Sequence, residues 1–204
     1  MTDLEQFARH AAPELPGCPT IAIADTVIRV TQQLCDTADI LREIVSVTTV
    51  ADTREYALPV SLGYILSRVL NVKTEAYPRG LNKTNETEAD QSSAPGIPSA
   101  FYVDGYKELC LVPTPDRVET IAAIVTVKPD WSSEQLDDAL YNTHLDLIMA
   151  GVKSKLMMQP GKEWSNETMA AYYKTQYENG LAAARIATHT GNVGGSLRVA
   201  PRKF

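Results

Sequence analysis

The sequence predicts an α+β protein: an antiparallel helical bundle, built from N-terminal helices and a long C-terminal helical hairpin, with an inserted small antiparallel β-sheet and an extended C-terminal arm. Three observations carry this expectation. Apolar residues recur at helical spacing near both ends of the chain, β-branched residues concentrate in its middle, and the last stretch pairs glycines with basic residues and has no helical period. The expected boundaries are residues 1–43 and 133–189 for the bundle, 44–132 for the β-domain with a long loop at 79–99, and 190–204 for the arm.

Taken in order, Leu4, Phe7, Ala8, Ala11 and Ala12 fit a short amphipathic helix that stops at Pro13. Pro19 announces the next helix, with Thr20 as its expected cap. Ile21, Ala24, Val27, Ile28, Thr31, Leu34 and Cys35 form its apolar face, and Asp25, Arg29, Gln32 and Gln33 lie opposite. Such a face needs a partner, and the C-terminal hairpin is the expected one.

From Ile44 to Val50 the β-branched run predicts a strand, and Arg54 to Leu58 predicts another that Pro59 ends. Ile65 to Val72 favours a strand, although Ile65, Arg68, Val69 and Val72 also permit a helical turn. Residues 79–99 hold almost nothing to bury and read as a long exposed loop. Its two Asn-x-Thr triplets, at Asn82 and Asn85, are read as chance in a chain with no secretory start. Ala100 to Val112 gives two apolar segments around Asp104-Gly105, a hairpin signal, and Ile121 to Val127 is the last strand.

The C-terminal hairpin is read from Leu136, Leu140, His144, Leu147, Ile148, Val152 and Leu156 in one arm and Met169, Tyr173, Tyr177, Leu181 and Ala184 in the other. The break between them is local chemistry: Pro160 lacks an amide donor, Gly161 tolerates left-handed angles, and Ser165 stands ready to cap the second helix ahead of Glu167. Trp164 is expected to pack under this corner, while Tyr172, Tyr173 and Tyr177 offer large contact area with a polar tip. Pro160, Gly161, Trp164, Tyr172, Tyr173 and Tyr177 are therefore the candidate interface residues.

Composition narrows the function classes. A 44% hydrophobic content with 22% charged residues describes a globular chain, and no apolar run approaches membrane-spanning length. The acidic start, Met1 to Glu5, predicts a cytosol-like compartment, where Cys18, Cys35 and Cys110 would remain reduced. A net charge of −6 argues against wrapping nucleic acid. That charge is uneven, because Arg198, Arg202 and Lys203 put +3 beyond Thr190 and leave −9 for the rest.

No catalytic, metal-binding or cofactor-binding set emerges. His10, His144 and His189 stand apart, and neither His-Glu-x-x-His nor Cys-x-x-Cys is present. Asp137, Tyr141 and His144 share one helical stripe, which reads as packing or interface before catalysis. Gly191, Gly194, Gly195 and Ser196 lack the strand and helix of a phosphate loop and read as a hinge.

Several phrases together resemble one family, the small head-to-tail adaptor (connector, head-completion) proteins of tailed bacteriophages. They are the helix from Thr20 to Asp36, Arg54-Glu55-Tyr56-Ala57-Leu58-Pro59, Ala100 to Gly105, and Leu111-Val112-Pro113-Thr114-Pro115. To these the C-terminal half adds His144 to Val152, then Met158 to Trp164, then a helix rich in Tyr and Ala. The resemblance spans residues 20–189, and the tail by position.

It implies a structural virion protein and not an enzyme. Synthesised in the host cytoplasm, such a protein forms a homo-oligomeric ring, a dodecamer in the family, under the portal protein and above a tail or nozzle protein. DNA passes through its channel without specific binding, and no membrane is involved. The arm, with Leu197, Arg198, Val199, Pro201, Arg202, Lys203 and Phe204, becomes the portal-docking segment. An acidic wall would let DNA pass by repulsion, and which of Asp137, Asp138, Glu163, Glu167 or Glu178 faces it stays open. The rival expectation is a small enzyme or ligand-binding module with its site on the β-domain under the loop at 79–99.

Overall fold

The computed structural model describes residues 1–89, 94–105 and 108–191. The described chain is a mixed α+β fold with small, mainly antiparallel sheets. Its elements run β1 (Thr2–Asp3), α1 (Leu4–Ala11), α2 (Thr20–Ala38), β2 (Arg42–Thr48), β3 (Glu55–Tyr56), β4 (Tyr64–Lys73), β5 (Asn82–Lys83) and α3 (Glu86–Ala89). They continue with β6 (Ala100–Val103), β7 (Leu109–Val112), β8 (Thr120–Pro129), β9 (Gln135–Leu136), α4 (Asp138–Met157) and α5 (Glu167–His189).

The ends of α2 follow backbone preference. Pro19, extended, occupies the cap, so Thr20 is the first helical residue and not the cap expected of it. Asp39 ends the helix at φ 50°, a left-handed position that a short polar residue tolerates, and its amide bonds back to the Cys35 carbonyl. The expected apolar face is corrected at two places. Ile21 is 73% exposed, whereas Gln32, assigned to the polar side, is buried with its Nε2 donating to the Pro129 carbonyl at 2.9 Å. The reason is that α2 packs against strand β8 as well as against the helices α1, α4 and α5, so Ile23 and Val30 are also buried.

The single small sheet expected for the middle of the chain is two. One is antiparallel, in the order β2-β8-β4, and the other runs β3-β7-β6-β5, with β5 parallel to β6. β8 is central, pairing Ile44 with Ile124 on one side and Val69 with Val125 on the other. β4 slips register between Leu66 and Arg68 and again between Val69 and Asn71, which bends it around β8. The two sheets share one core, in which Val45, Val72, Phe101, Leu111, Ile121 and Val125 are buried.

Three local expectations shift for identifiable reasons. The strand expected over Arg54 to Leu58 shrinks to Glu55 and Tyr56, which pair with Cys110 and Leu109 before the chain turns off toward Pro59. The Tyr56 hydroxyl anchors the preceding turn by donating to the Thr53 carbonyl and accepting from the Val50 amide. The stretch 79–99 is not featureless, since it contributes β5 and α3 and buries Leu81 and Ala89. The Asp104-Gly105 hairpin closes with the Asp104 amide on the Glu108 carbonyl, so its loop is longer than a two-residue turn.

A second core gathers Phe7, Ile23, Val27, Leu34, Leu140, Ile148, Val152 and Tyr177. Leu136, expected in the first arm of the helical hairpin, lies in β9 and pairs with Thr2. Asp137 then caps α4, its carboxylate accepting from the Ala139 amide at 2.7 Å. At the corner, Asn166 and not Ser165 caps α5, accepting from the Met169 amide. Close pairs between α4 and α5 run from Met157 with Asn166 at the corner to Gly151 with Tyr177 and Leu147 with Gly180 farther out, so the two helices pass in opposite directions.

Candidate functional site

The corner residues divide by depth. Pro160 and Gly161 are exposed, and Gly161 takes φ 71°, a conformation that glycine adopts at little cost. Trp164 is half-buried against the helical core, with the Lys162 ammonium 5.8 Å from its ring centre.

The three tyrosines take three different surroundings. Tyr177 is buried, donates to the Val30 carbonyl at 3.2 Å, and has its hydroxyl pushed up to about 12 by burial. Tyr173 donates to Glu14, and that bond holds its own pKa at about 12. Lys153 completes the group, 2.5 Å from Glu14 and 5.0 Å from the Tyr173 ring centre. Its hydrogen bond, then that of Tyr173, hold the Glu14 carboxyl below the usual range. Tyr172 alone presents its ring outward, at 54% exposure, and accepts from Gln176.

Beyond the corner α5 leaves a broad uncovered face. Over its whole length only Ala170 and Tyr177 are buried, and Ile186 is 61% exposed. Met169, Tyr173, Leu181 and Ala184 pack half-buried against the same core, and the opposite side of the helix, with Tyr172 and Ile186, is open to a partner.

The Asp137, Tyr141 and His144 stripe does not act as a unit. Asp137 is spent on the cap, and the Tyr141 hydroxyl is 2.8 Å from the His10 Nε2, with Phe7 edge-on to its ring. His144 is half-buried and its pKa is lowered by that burial. His10 was the partner that sequence spacing could not supply, because it lies 131 positions away on α1. Among the carboxylates weighed for a channel wall, Asp138 binds the N-terminal ammonium at 2.7 Å and the Thr2 hydroxyl at 2.6 Å. Glu178 lies 3.9 Å from Lys174, Glu167 sits in the first turn of α5, and Glu163 is exposed at the corner.

The thiols carry no sign of reactivity: burial raises Cys35 to about 12 and also raises Cys18 and Cys110. Among the described residues no group of three or more His, Cys, Asp or Glu is placed to hold a metal ion, and no helix is long and apolar enough to cross a membrane. The docking residues expected in the arm, Leu197 to Phe204, lie outside the described residues.

A family model described as SU10 adaptor protein matches residues 2–200. No curated protein matches the chain.

Proposed function

The chain belongs to the SU10 adaptor protein family, a phage head-to-tail adaptor family, and from that premise we propose how it is built into the virion. The family makes it a structural component of the particle, working between portal and tail proteins. Our reading is that copies of the chain form a ring, dodecameric as the resemblance implies, under the portal, with a channel through which DNA leaves.

The observation that carries the ring is the uncovered face of α5. A ring of identical subunits needs a heterologous contact between two different faces of one chain. Tyr172 and Ile186 on α5, with Pro160 and Gly161 at the corner, lie on one exposed face, with Thr175, Gln176 and Asn179 between them. Trp164, Tyr173 and Tyr177 act beneath it by fixing the corner and the helix position.

Within this reading the two cores are two domains, a helical bundle of residues 1–43 and 133–189 carrying a helical hairpin, and a β-domain of 44–132. The bundle makes the ring. Arg198, Arg202 and Lys203 give the segment from Leu197 to Phe204 the charge to dock on the portal, and the net −9 of the rest suits a channel that releases DNA.

Mass photometry of the chain mixed with the portal protein of the same phage, with and without residues 197–204, tests this. A discrete portal-bound ring that is lost on truncation is expected. A truncated chain that docks as well as the full one removes the arm from the reading, and a full chain that ignores the portal removes the ring.

A further inference from the structure

Along α2 lies a groove that the adaptor reading does not use. Its deeper part is a hollow of about 480 Å³ between α2, α4 and α5. Buried Tyr177 and Ser154 lie at its base, and Arg29, Lys155 and Lys174 come to its rim from the three helices in turn. Beside it Tyr177 ties α5 to α2 through its hydrogen bond to the Val30 carbonyl, and Thr26, Arg29 and Gln33 line the hollow from α2.

A second, shallower hollow continues it past Arg29 and Gln33 to Trp131, whose ring centre lies 5.9 Å from the Arg29 guanidinium. The groove thus carries an exposed apolar side chain at each end, Met158 and Trp131, the latter 56% exposed. Gln33, Gln159 and Thr26 add side chains able to bond a peptide backbone.

Charge selects the occupant. In a protein whose first 189 residues are strongly acidic, three cations meet here. Of the two carboxylates along the groove, Glu178 lies beside Lys174, and Asp36 is bonded to Lys128 at 2.6 Å and Ser67 at 2.5 Å. The chain's own C-terminal stretch, with Arg198, Arg202 and Lys203, has the wrong sign for such a rim. A nucleic acid fits poorly as well, because its phosphates repeat along a track, whereas three cations between apolar ends make no continuous stripe and the acidic body repels a polyanion.

We propose that the groove between α2, α4 and α5 is a docking site for an acidic peptide segment of a partner protein, carboxylates meeting Arg29, Lys155 and Lys174 and apolar side chains seating on Trp131 and Met158. The proposal rests on the groove and not on ring formation, so it stands or falls separately.

The test titrates the full chain with a short synthetic peptide alternating glutamate and leucine, followed by fluorescence anisotropy of a labelled copy and by tryptophan emission with an unlabelled one. Saturable binding with a shift in emission that disappears in Trp131→Phe is expected. Lys155→Glu with Lys174→Glu should weaken binding about tenfold or more, the equivalent of ~1.4 kcal/mol. Lys73→Glu with Lys83→Glu, the same charge change on the sheets, should leave it within about twofold. Equal thermal midpoints show that both double variants are folded, and Lys155→Met with Lys174→Met gives a neutral check.

Three results overturn the proposal. They are absence of saturable binding, equal weakening by the two charge-reversed pairs, and tighter binding of a single-stranded oligonucleotide that depends on the same lysines. Binding of a peptide copied from residues 82–89 of this chain as tightly as the glutamate-leucine probe would instead make the partner a second copy.

Discussion

The hydroxyl of Tyr177 on α5 reaches across to donate to the Val30 carbonyl on α2, and the backbone of Gly151 on α4 passes directly beneath both. A Cβ on residue 151 would lie 2.6 Å from the Val30 Cγ1 and 2.9 Å from the Tyr177 ring. Three helices therefore converge on one glycine. Its absent side chain lets them approach this closely.

Gly151→Ala is expected to destabilise the protein by about 1–2 kcal/mol, because crowding of a packed site outweighs the ~1 kcal/mol gained in helix propensity. Tyr177→Phe removes only the hydrogen bond and should cost about 0.5–1.5 kcal/mol. Urea denaturation checks both, and a Gly151→Ala protein more stable than wild type would show that the contact is looser than described.

The Glu14, Lys153 and Tyr173 group predicts an acid-sensitive contribution to stability. The folded carboxyl of Glu14 is lowered from 4.5, so its contribution is fully present above that value and is lost as pH falls through the depressed one. Glu14→Gln should cost about 0.5–1 kcal/mol near neutral pH, the range of partly exposed ion pairs. The difference from wild type should vanish in strong acid. Urea midpoints taken across this range decide it, since a pH-independent difference would mean that lost packing, not charge, is responsible.

Burial of His144 gives a second pH dependence with its own window. Its pKa is lowered from 6.5, so the folded protein resists protonation that the unfolded chain accepts, and stability declines as pH falls below that value. His144→Gln should flatten the decline just below pH 6.5, which thermal melts at closely spaced pH values measure.

Gln32 joins the helical core to the sheets. Gln32→Ala leaves the buried Pro129 carbonyl without that donor and should destabilise by about 1–3 kcal/mol. Hydrogen exchange should then quicken at the β8 end near Pro129 more than at the α4–α5 corner. Uniform quickening would mean that the two cores unfold as one.

The exposed face of α5 makes the last prediction. Tyr172→Glu and Ile186→Glu should each alter stability by no more than about 0.5 kcal/mol, because neither side chain is covered. Together they should abolish the portal-bound ring in mass photometry. A ring formed undiminished by the double variant would move the contact to another face.

What the sequence determined by itself is what depends on near neighbours. The 3.6-residue period marked α1, α2, α4 and α5, the β-branched runs marked β2 and β8 and only favoured β4 over a helical turn, and proline and glycine placed the corner at Pro160 and Gly161. These signals are local, since each residue biases its own backbone and the turn it lies in. The tertiary structure alone decided which surfaces are covered. β1 with β9 and β5 with β6 are two-residue pairings whose hydrogen bonds join distant segments, so no short window of sequence marks them. Gln32 belongs inside and Ile21 outside because α2 is enclosed by both helices and strands, a fact about neighbours that periodicity cannot express. Tyr172, Tyr173 and Tyr177 look alike in sequence, yet one faces outward, one binds Glu14 and one is buried on Val30. A side chain's period tells which face is apolar, and only the packed chain tells what comes to lie against it.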